Sequence, residues 1–162
     1  MVDDAHTHSA ATLEELVRQR STWRAAGRRL VLTNGCFDML HPGHVALLEA
    51  ARREGDLLVV AINSDASVTR LKGRGRPLLP EAERAETLRA LESVDQVVIY
   101  GEDTPIEVVR ALRPDVLVKG ADWAADEIVG RAEVEQGGGR VVRVALVPGR
   151  STSAIVARIR RP

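Results

Sequence analysis

Residues 30–44 read LVLTNGCFDMLHPGH, and this stretch decides the fold. The run LVLT at residues 30–33 ends in an Asn-Gly pair, which is typical of a short buried strand. A helix is predicted directly afterwards, over residues 43–54. A strand that is apolar on both faces and is followed by a helix is the repeating unit of a parallel sheet covered on two sides.

The same unit recurs along the chain. Further buried strands are predicted at residues 57–62, 96–100, 116–118 and 141–147. Helices are predicted at residues 12–26, 81–91, 104–113, 126–136 and 151–160, with a helical turn at 65–71. We therefore expect one α/β domain over residues 12–162, with a Rossmann-like, doubly wound, five-stranded parallel sheet, preceded by a flexible tail at residues 1–11. In such sheets ligands bind beyond the carboxyl ends of the strands.

Two helix starts carry strong local signals. Thr12 and Glu15 have the spacing of a capping box, in which side chain and backbone bond reciprocally. Thr104, Pro105 and Glu107 combine a capping hydroxyl, a first-turn proline and a capping-box acid. We expect both threonines to be N-caps.

Composition excludes several classes of protein. The 162 residues include 23 basic and 23 acidic side chains, one cysteine and two tryptophans, one tyrosine and one phenylalanine. A zero net charge and so few stacking rings argue against nucleic-acid binding. A single cysteine excludes an internal disulfide framework and a cysteine-based zinc cluster. No apolar run approaches a membrane span, and the acidic first residues do not resemble a signal peptide, so a cytoplasmic location is expected.

Two histidines mark the predicted start of the second helix. His41 and His44 stand three residues apart, which places them on one helical face, and Gly43 between them lets a ligand approach the backbone. Backbone N–H groups at a helix start attract anions, and phosphate is the common guest. No glycine-rich dinucleotide fingerprint and no phosphate loop with its lysine is present. Phosphate contact is favoured; a metal pair with Asp38 and a simple capped turn are the alternatives.

Lysine is rare in this chain. Of 23 basic residues only Lys72 and Lys119 are lysine, and the rest are arginine. Lys72 lies in a Gly-flanked loop, where Arg74 and Arg76 could assist it, and Lys119 lies at the tip of the fourth predicted strand. Both positions are predicted ligand edges, where a compact ammonium differs in use from a planar guanidinium.

Longer motifs now point to a family. The segment TNGCFDMLHPGH at residues 33–44 resembles the signature of the cytidylyltransferase-like nucleotidyltransferases, and GRSTS at residues 149–153 resembles their second signature. NSD at 63–65, RLKGRGRP at 70–77, Arg84 and VKGADW at 118–123 are similar to one subgroup, the D-glycero-β-D-manno-heptose 1-phosphate adenylyltransferases. The resemblance covers residues 12–160. Ser153 stands where many relatives have threonine, which keeps the hydroxyl.

The resemblance implies attack of a sugar 1-phosphate oxygen on the α-phosphorus of ATP, giving an ADP-sugar and pyrophosphate. It implies catalytic roles for His41, His44 and Lys72. Residues implied at the nucleotide are Thr33, Asn34, Gly35, Cys36, Phe37, Asp38, Gly43, Arg84, Lys119, Gly120, Asp122, Ser151, Thr152 and Ser153. Those implied at the sugar phosphate are Asn63, Asp65, Lys72 and Trp123.

The resemblance also implies partners. Mg²⁺ is expected with ATP, because a tetra-anion needs screening by a hard cation, although no protein ligand is assigned to it. Bifunctional relatives carry a sugar-kinase domain that this sequence lacks, so a separate heptose kinase and phosphatase are expected, and a homodimer is common. The alternatives are a sister enzyme that uses CTP or another phosphorylated acceptor, such as glycerol 3-phosphate, and a non-catalytic nucleotide-binding module.

Overall fold

Five strands and seven α-helices alternate in a computed structural model that describes residues 10–160. The strands are β1 (Leu30–Gly35), β2 (Leu57–Asn63), β3 (Gln96–Tyr100), β4 (Val116–Gly120) and β5 (Arg140–Val144). The helices are α1 (Leu13–Ala25), α2 (Pro42–Arg52), α3 (Asp65–Lys72), α4 (Glu81–Arg89), α5 (Ile106–Leu112), α6 (Arg131–Gln136) and α7 (Thr152–Ile159). No helix within residues 10–160 is long and apolar enough to cross a membrane.

The strands form one sheet in the order β3-β2-β1-β4-β5, and every pairing is parallel. Leu32 of β1 is aligned with Val59 on one side and with Leu117 on the other. The chain winds outward from β1 in one direction through β2 and β3, and in the other through β4 and β5. The strand order therefore switches between β1 and β4, and this is where a crevice opens in a doubly wound sheet. The predicted fold class is confirmed.

Both faces of the sheet are covered, as the apolar strands require. All seven residues of β2 are buried. On one face Val59 and Leu117 pack with Leu16 of α1 and Leu112 of α5. On the other face a second cluster centres on Val60, Leu48 of α2 and Leu88 of α4. This two-sided burial explains why the strands have continuous apolar runs rather than alternating patterns.

Two predicted boundaries were wrong. The helix predicted at residues 126–136 is instead a 3₁₀ turn, Ala125–Glu127, followed by α6. Ile128 between them is extended and Gly130 has a left-handed φ of 90°, so the backbone leaves the helical conformation before α6 begins. The strand predicted to reach Val147 ends at Val144, because its partner strand β4 ends opposite, at Gly120.

Two terminal features also differ from expectation. Thr12 closes a capping box with Glu15 as predicted, but Thr104 is not an N-cap: α5 begins after Pro105, with no side-chain cap. Ala11, predicted as the end of a flexible tail, is bound to the sheet edge, since its N–H donates to the Val97 carbonyl at 2.9 Å. Residues 1–9 of the predicted tail lie outside the described residues.

Candidate active site

An open cleft of about 310 Å³ lies at the carboxyl ends of β1 and β4, at the switch in strand order. Its walls come from the loop between β1 and α2, the end of α3, the segment after β4 and the start of α7. The lining residues are Thr33, Asn34, Gly35, Cys36, Phe37, Asp38, His41, Gly43, His44, Leu47, Lys72, Arg76, Lys119, Gly120, Asp122, Trp123, Leu146, Val147, Arg150, Ser151, Thr152 and Ser153. The cleft thus brings together both sequence signatures and both lysines.

His41 is the N-cap of α2. Its Nδ1 accepts a hydrogen bond from the Gly43 N–H at 3.1 Å, so this nitrogen carries no proton and Nε2 is the donor of the neutral ring. Burial, with a smaller effect of the Arg150 guanidinium, lowers the pKa of His41 below its ordinary value. The cap therefore orients a neutral imidazole at the start of the helix.

His44 stacks on His41, with ring centroids 3.8 Å apart and an angle of 24° between the planes. Phe37 packs on it at 5.1 Å between centroids. Burial, then His41 and Lys72, lower the pKa of His44 to about 4, although the Met39 backbone raises it in part. Both imidazoles are therefore neutral near pH 7, and each neutral ring carries one N–H.

Gly43 is required between the histidines for steric reasons. A Cβ placed on it would lie 2.9 Å from the His41 ring and 3.2 Å from the Arg150 Cβ. The close approach to Gly43 that the sequence predicted is thus present. The groups that lie close to Gly43 are the His41 ring and the loop before α7.

The second signature forms the start of α7. Ser151 is the N-cap and its Oγ accepts from the Ala154 N–H at 3.1 Å. The Thr152 hydroxyl donates to the Met39 carbonyl at 3.4 Å, which ties α7 to the loop that carries His41. No residue of α7 is fully buried. Ser151, Thr152 and Ser153 line the same cleft as the histidines.

Lys119, near the end of β4, lines the cleft together with Trp123. Its Nζ donates to the Asn34 carbonyl at 3.3 Å and lies 5.0 Å from the Trp123 ring centroid. Burial lowers the pKa of Lys119 to about 8, and Asp122 and Cys36 partly oppose this shift. Trp123 is 46% exposed at the rim of the cleft. The wall therefore combines a cation with an aromatic face.

The Asp38 carboxylate fixes the loop at residues 73–80. Its carboxylate pairs with the Arg76 Nε at 2.6 Å and accepts from the N–H groups of Leu78 and Leu79. Burial alone would raise the pKa of Asp38, but hydrogen bonds from Leu79, Arg76 and Leu78 outweigh it and lower the pKa. Asp38 therefore positions the loop. In residues 10–160 no group of three His, Cys, Asp or Glu side chains could hold a metal, so the metal-pair alternative has no support.

Arg84 and Asp65 lie behind the cleft wall. The Arg84 side chain is fully buried and donates to the Leu79 carbonyl at 3.0 Å, the Cys36 carbonyl at 2.6 Å and the Asp65 carboxylate at 2.8 Å. Neither residue lines the cleft. The Arg84 guanidinium thus joins α4, α3 and the loop after β1.

Asn63 is likewise below the cleft and does not line it. Its Oδ1 accepts from the Tyr100 hydroxyl at 3.0 Å, and its Nδ2 donates to the Ser67 Oγ at 3.0 Å. Burial raises the pKa of Tyr100 to about 12, although its hydrogen bonds to Asn34 and Asn63 lower it in part. A buried amide needs such partners, and this network supplies them.

Sequence reasoning missed four residues of the cleft: Leu47, Leu146, Val147 and Arg150. For three of these residues, their place in the sequence could have indicated that they line the cleft. Leu146 and Val147 follow the last strand at the ligand edge of the sheet, and Arg150 directly precedes the predicted capping serine.

Residues 32–158 match the family model described as cytidylyltransferase-like. The chain belongs to the cytidylyltransferase-like family. This confirms the predicted nucleotidyltransferase class. Cytidylyltransferase-like membership also agrees with a cleft built from two histidines on α2 and a hydroxyl-rich turn at α7.

Among curated cytidylyltransferase-like relatives, the bifunctional protein HldE of Methylobacillus flagellatus is 50% identical over 155 residues, which cover 96% of this chain and 32% of that protein. The bifunctional protein HldE of Acidiphilium cryptum is 53% identical over 165 residues, which cover 99% of this chain and 34% of that protein. The chain spans about a third of the length of these relatives.

Two solved structures share the fold. A lipopolysaccharide core biosynthesis protein from Thermoplasma volcanium has a TM-score of 0.61 and 30% identity, with 75% of this chain and 98% of that chain covered. Pantothenate synthetase from Thermus thermophilus has a TM-score of 0.58 and 19% identity, with 85% of this chain and 61% of that chain covered. The second likeness concerns the fold alone.

Proposed function

We propose that the protein transfers AMP from ATP to a sugar 1-phosphate, D-glycero-β-D-manno-heptose 1-phosphate, giving ADP-heptose and pyrophosphate. The observation that supports this is that the stacked, neutral pair His41 and His44 and the N-terminus of α7 line one cleft. The similarity to HldE proteins over nearly the whole chain supports the choice of this subgroup.

The chemistry needs positioning rather than a general base. An oxygen of the acceptor phosphate is already an anion, and it attacks the α-phosphorus in line. The new oxygen–phosphorus bond forms as the bond from the α-phosphorus to the bridging oxygen breaks, and pyrophosphate leaves with the electron pair. The proposed task of the His41 and His44 N–H groups is to donate to the α-phosphate oxygens, where negative charge builds up.

Lys72 is the proposed cation on the acceptor side. It lies at the end of α3, lines the cleft and acts electrostatically on His44. Lys119 is proposed to contact the nucleotide, and Trp123 beside it is proposed to cover a sugar face. Gly120 beside them has no room for a side chain, since a Cβ there would lie 2.6 Å from Asp122 Oδ1.

Mg²⁺ fits this cleft as an ion carried by ATP. Two carboxylates line the cleft, those of Asp38 and Asp122. Asp38 is paired with Arg76 of the loop, so Asp122 is the residue that would contact the ion or its water. When bound, Mg²⁺ neutralises part of the triphosphate charge. We further propose a cytoplasmic homodimer whose substrate is supplied by heptose kinase and phosphatase reactions.

The test is a coupled pyrophosphate-release assay with ATP and CTP against a panel of sugar and polyol phosphates. Wild type is expected to turn over ATP with heptose 1-phosphate, and His44→Ala to lose at least about 100-fold in kcat, because it loses an α-phosphate donor. His8→Ala, which changes a histidine of the predicted tail, is the control and should match wild type.

Two outcomes would overturn the proposal. A preference for CTP would remove the adenylyl assignment and favour a sister enzyme. ATP binding without pyrophosphate release from any acceptor would favour a nucleotide-binding module.

A further inference from the structure

Four cations line the cleft, and they differ in how they are engaged. Arg76 is paired with Asp38, and Lys119 donates to the Asn34 carbonyl. Within residues 10–160, neither Lys72 nor Arg150 makes an ion pair or a side-chain hydrogen bond, although both line the cleft. These two side chains are the ones whose charge is free for an anionic ligand.

Lys72 and Arg150 reach the cleft from different elements, the last residue of α3 and the residue before the N-cap of α7. Lys72 acts electrostatically on His44, whereas Arg150 acts on His41. The Arg150 Cβ lies 3.2 Å from the point where a Cβ of Gly43 would stand, which places this residue against the start of α2. Arg150 also directly precedes Ser151, the N-cap of α7. It therefore stands where the His41 side of the cleft meets the hydroxyl-rich turn.

In-line transfer gives the two sides of the α-phosphorus different tasks. The acceptor oxygen enters on one side, and pyrophosphate departs on the opposite side. If Lys72 binds the phosphate of the entering acceptor, the departing β- and γ-phosphates face Arg150, the other unpaired cation. A guanidinium suits this task because its planar set of donors can bind two phosphate oxygens at once.

We infer that Arg150 binds the β- and γ-phosphates of ATP and holds the pyrophosphate that leaves. This inference rests on the proposed function and deepens it, since it names a residue for one product of the reaction. Arg150 takes no part in bond making: it stabilises the charge that the leaving oxygen gains as its bond to the α-phosphorus breaks.

Calorimetric titration of the full chain with ATP, AMP and pyrophosphate, each with Mg²⁺, tests the inference. Arg150→Met keeps the aliphatic stem and removes the charge. It should weaken ATP and pyrophosphate binding by about 10- to 100-fold, the range expected for a charged hydrogen bond, and AMP binding by less than about twofold. Arg150→Lys should fall in between for ATP and pyrophosphate, because it keeps the charge without the fork.

Arg158→Met is the matched control. Arg158 is an exposed arginine in the last turn of the same helix, so its removal changes the net charge equally. It should bind all three probes as wild type does. Thermal melting should give equal stability for both variants, because both side chains are exposed.

The outcomes separate the two claims. If Arg150→Met binds ATP and pyrophosphate within twofold of wild type, or loses AMP affinity as strongly as ATP affinity, the role of Arg150 is wrong while the proposed reaction stands. If wild type binds neither ATP nor pyrophosphate, the proposed function fails, and this inference fails with it.

Discussion

The imidazole rings of His41 and His44 stack with centroids 3.8 Å apart at the start of α2. Two cationic rings could not share this position, since each would raise the energy of the other. The pair is therefore kept neutral, His44 with a pKa lowered to about 4 mainly by burial. The stack supplies hydrogen-bond donors without adding charge, and this has consequences for both stability and activity.

The first prediction concerns acid stability. The folded chain holds His44 neutral down to about pH 4, whereas a histidine in the unfolded chain binds a proton near pH 6.5. The unfolded state thus binds more protons in this window, so stability falls as the pH falls from 6.5 towards 4. Between pH 6.5 and 4.5, wild type should lose roughly 1–2 kcal/mol more free energy of unfolding than His44→Gln, measured by urea denaturation.

The pH range separates the loss of stability caused by His44 from the loss caused by Asp38. The pKa of Asp38 is lowered below 3.8, so its stabilising contribution is lost only at still lower pH. His8→Gln serves as control and should follow wild type. If the free energies of unfolding of wild type and His44→Gln change equally with pH, His44 is not held neutral.

The second prediction concerns the spacing of the histidines. In Gly43→Ala, the new methyl would stand 2.9 Å from the His41 ring and must displace it. Misplacing a donor by about 1 Å can cost about 100-fold, so kcat for pyrophosphate release should fall 10- to 100-fold. Gly101→Ala, where the nearest atom is 4.0 Å away, should leave kcat within twofold. Normal turnover of Gly43→Ala would mean that the His41 orientation does not matter for the chemistry.

The third prediction compares two Asp–Arg pairs. The Asp38 side chain is 1% exposed in its pair with Arg76, whereas Asp103 is 57% exposed in its pair with Arg70. Asp38→Asn should cost about 2–4 kcal/mol of unfolding free energy, because it leaves buried donors poorly satisfied. Asp103→Asn should cost less than about 0.5 kcal/mol. Equal losses in chemical denaturation would contradict the anchoring role of Asp38.

The fourth prediction concerns the alkaline limb of the activity profile. Burial lowers the pKa of Lys119 to about 8, so its positive charge disappears as the pH rises through 8. For the free enzyme, kcat/KM for ATP should decline above pH 8, if the charged form binds nucleotide. Lys119→Arg should remain charged and shift this decline to a higher pH. A wild-type profile that stays flat from pH 7 to pH 9.5 would exclude a role for the Lys119 charge.

Apolar patterning was sufficient to predict the sheet. The run at residues 57–62 is buried on both faces as β2, and this is what makes a parallel, covered sheet readable from sequence. Boundaries were less predictable. The predicted helix is interrupted where Ile128 is extended and Gly130 has a left-handed φ, and the end of β5 depends on where β4 stops.

Site residues that belong to a recognisable sequence motif could be predicted. Residues chosen only because they stand near the end of a strand were predicted less well. Asn63 ends β2 and Asp65 begins α3, but their side chains bond to Tyr100 and Arg84 and do not line the cleft. A sequence does not distinguish a polar group that faces a ligand from one that satisfies a buried neighbour. Arg150 was missed for a related reason, since it is one of 21 arginines and its position near His41 exists only in the folded chain.

The shallow seating of α7 has a consequence for turnover. This helix of eight residues has no fully buried side chain and is tied to the Met39 carbonyl by Thr152. Local opening of such an element costs less free energy than unfolding the sheet. α7 can therefore open and close again while the strands stay intact. In the proposed reaction this local opening would give pyrophosphate a way out of the cleft, and hydrogen exchange in residues 152–159 should slow when nucleotide is added.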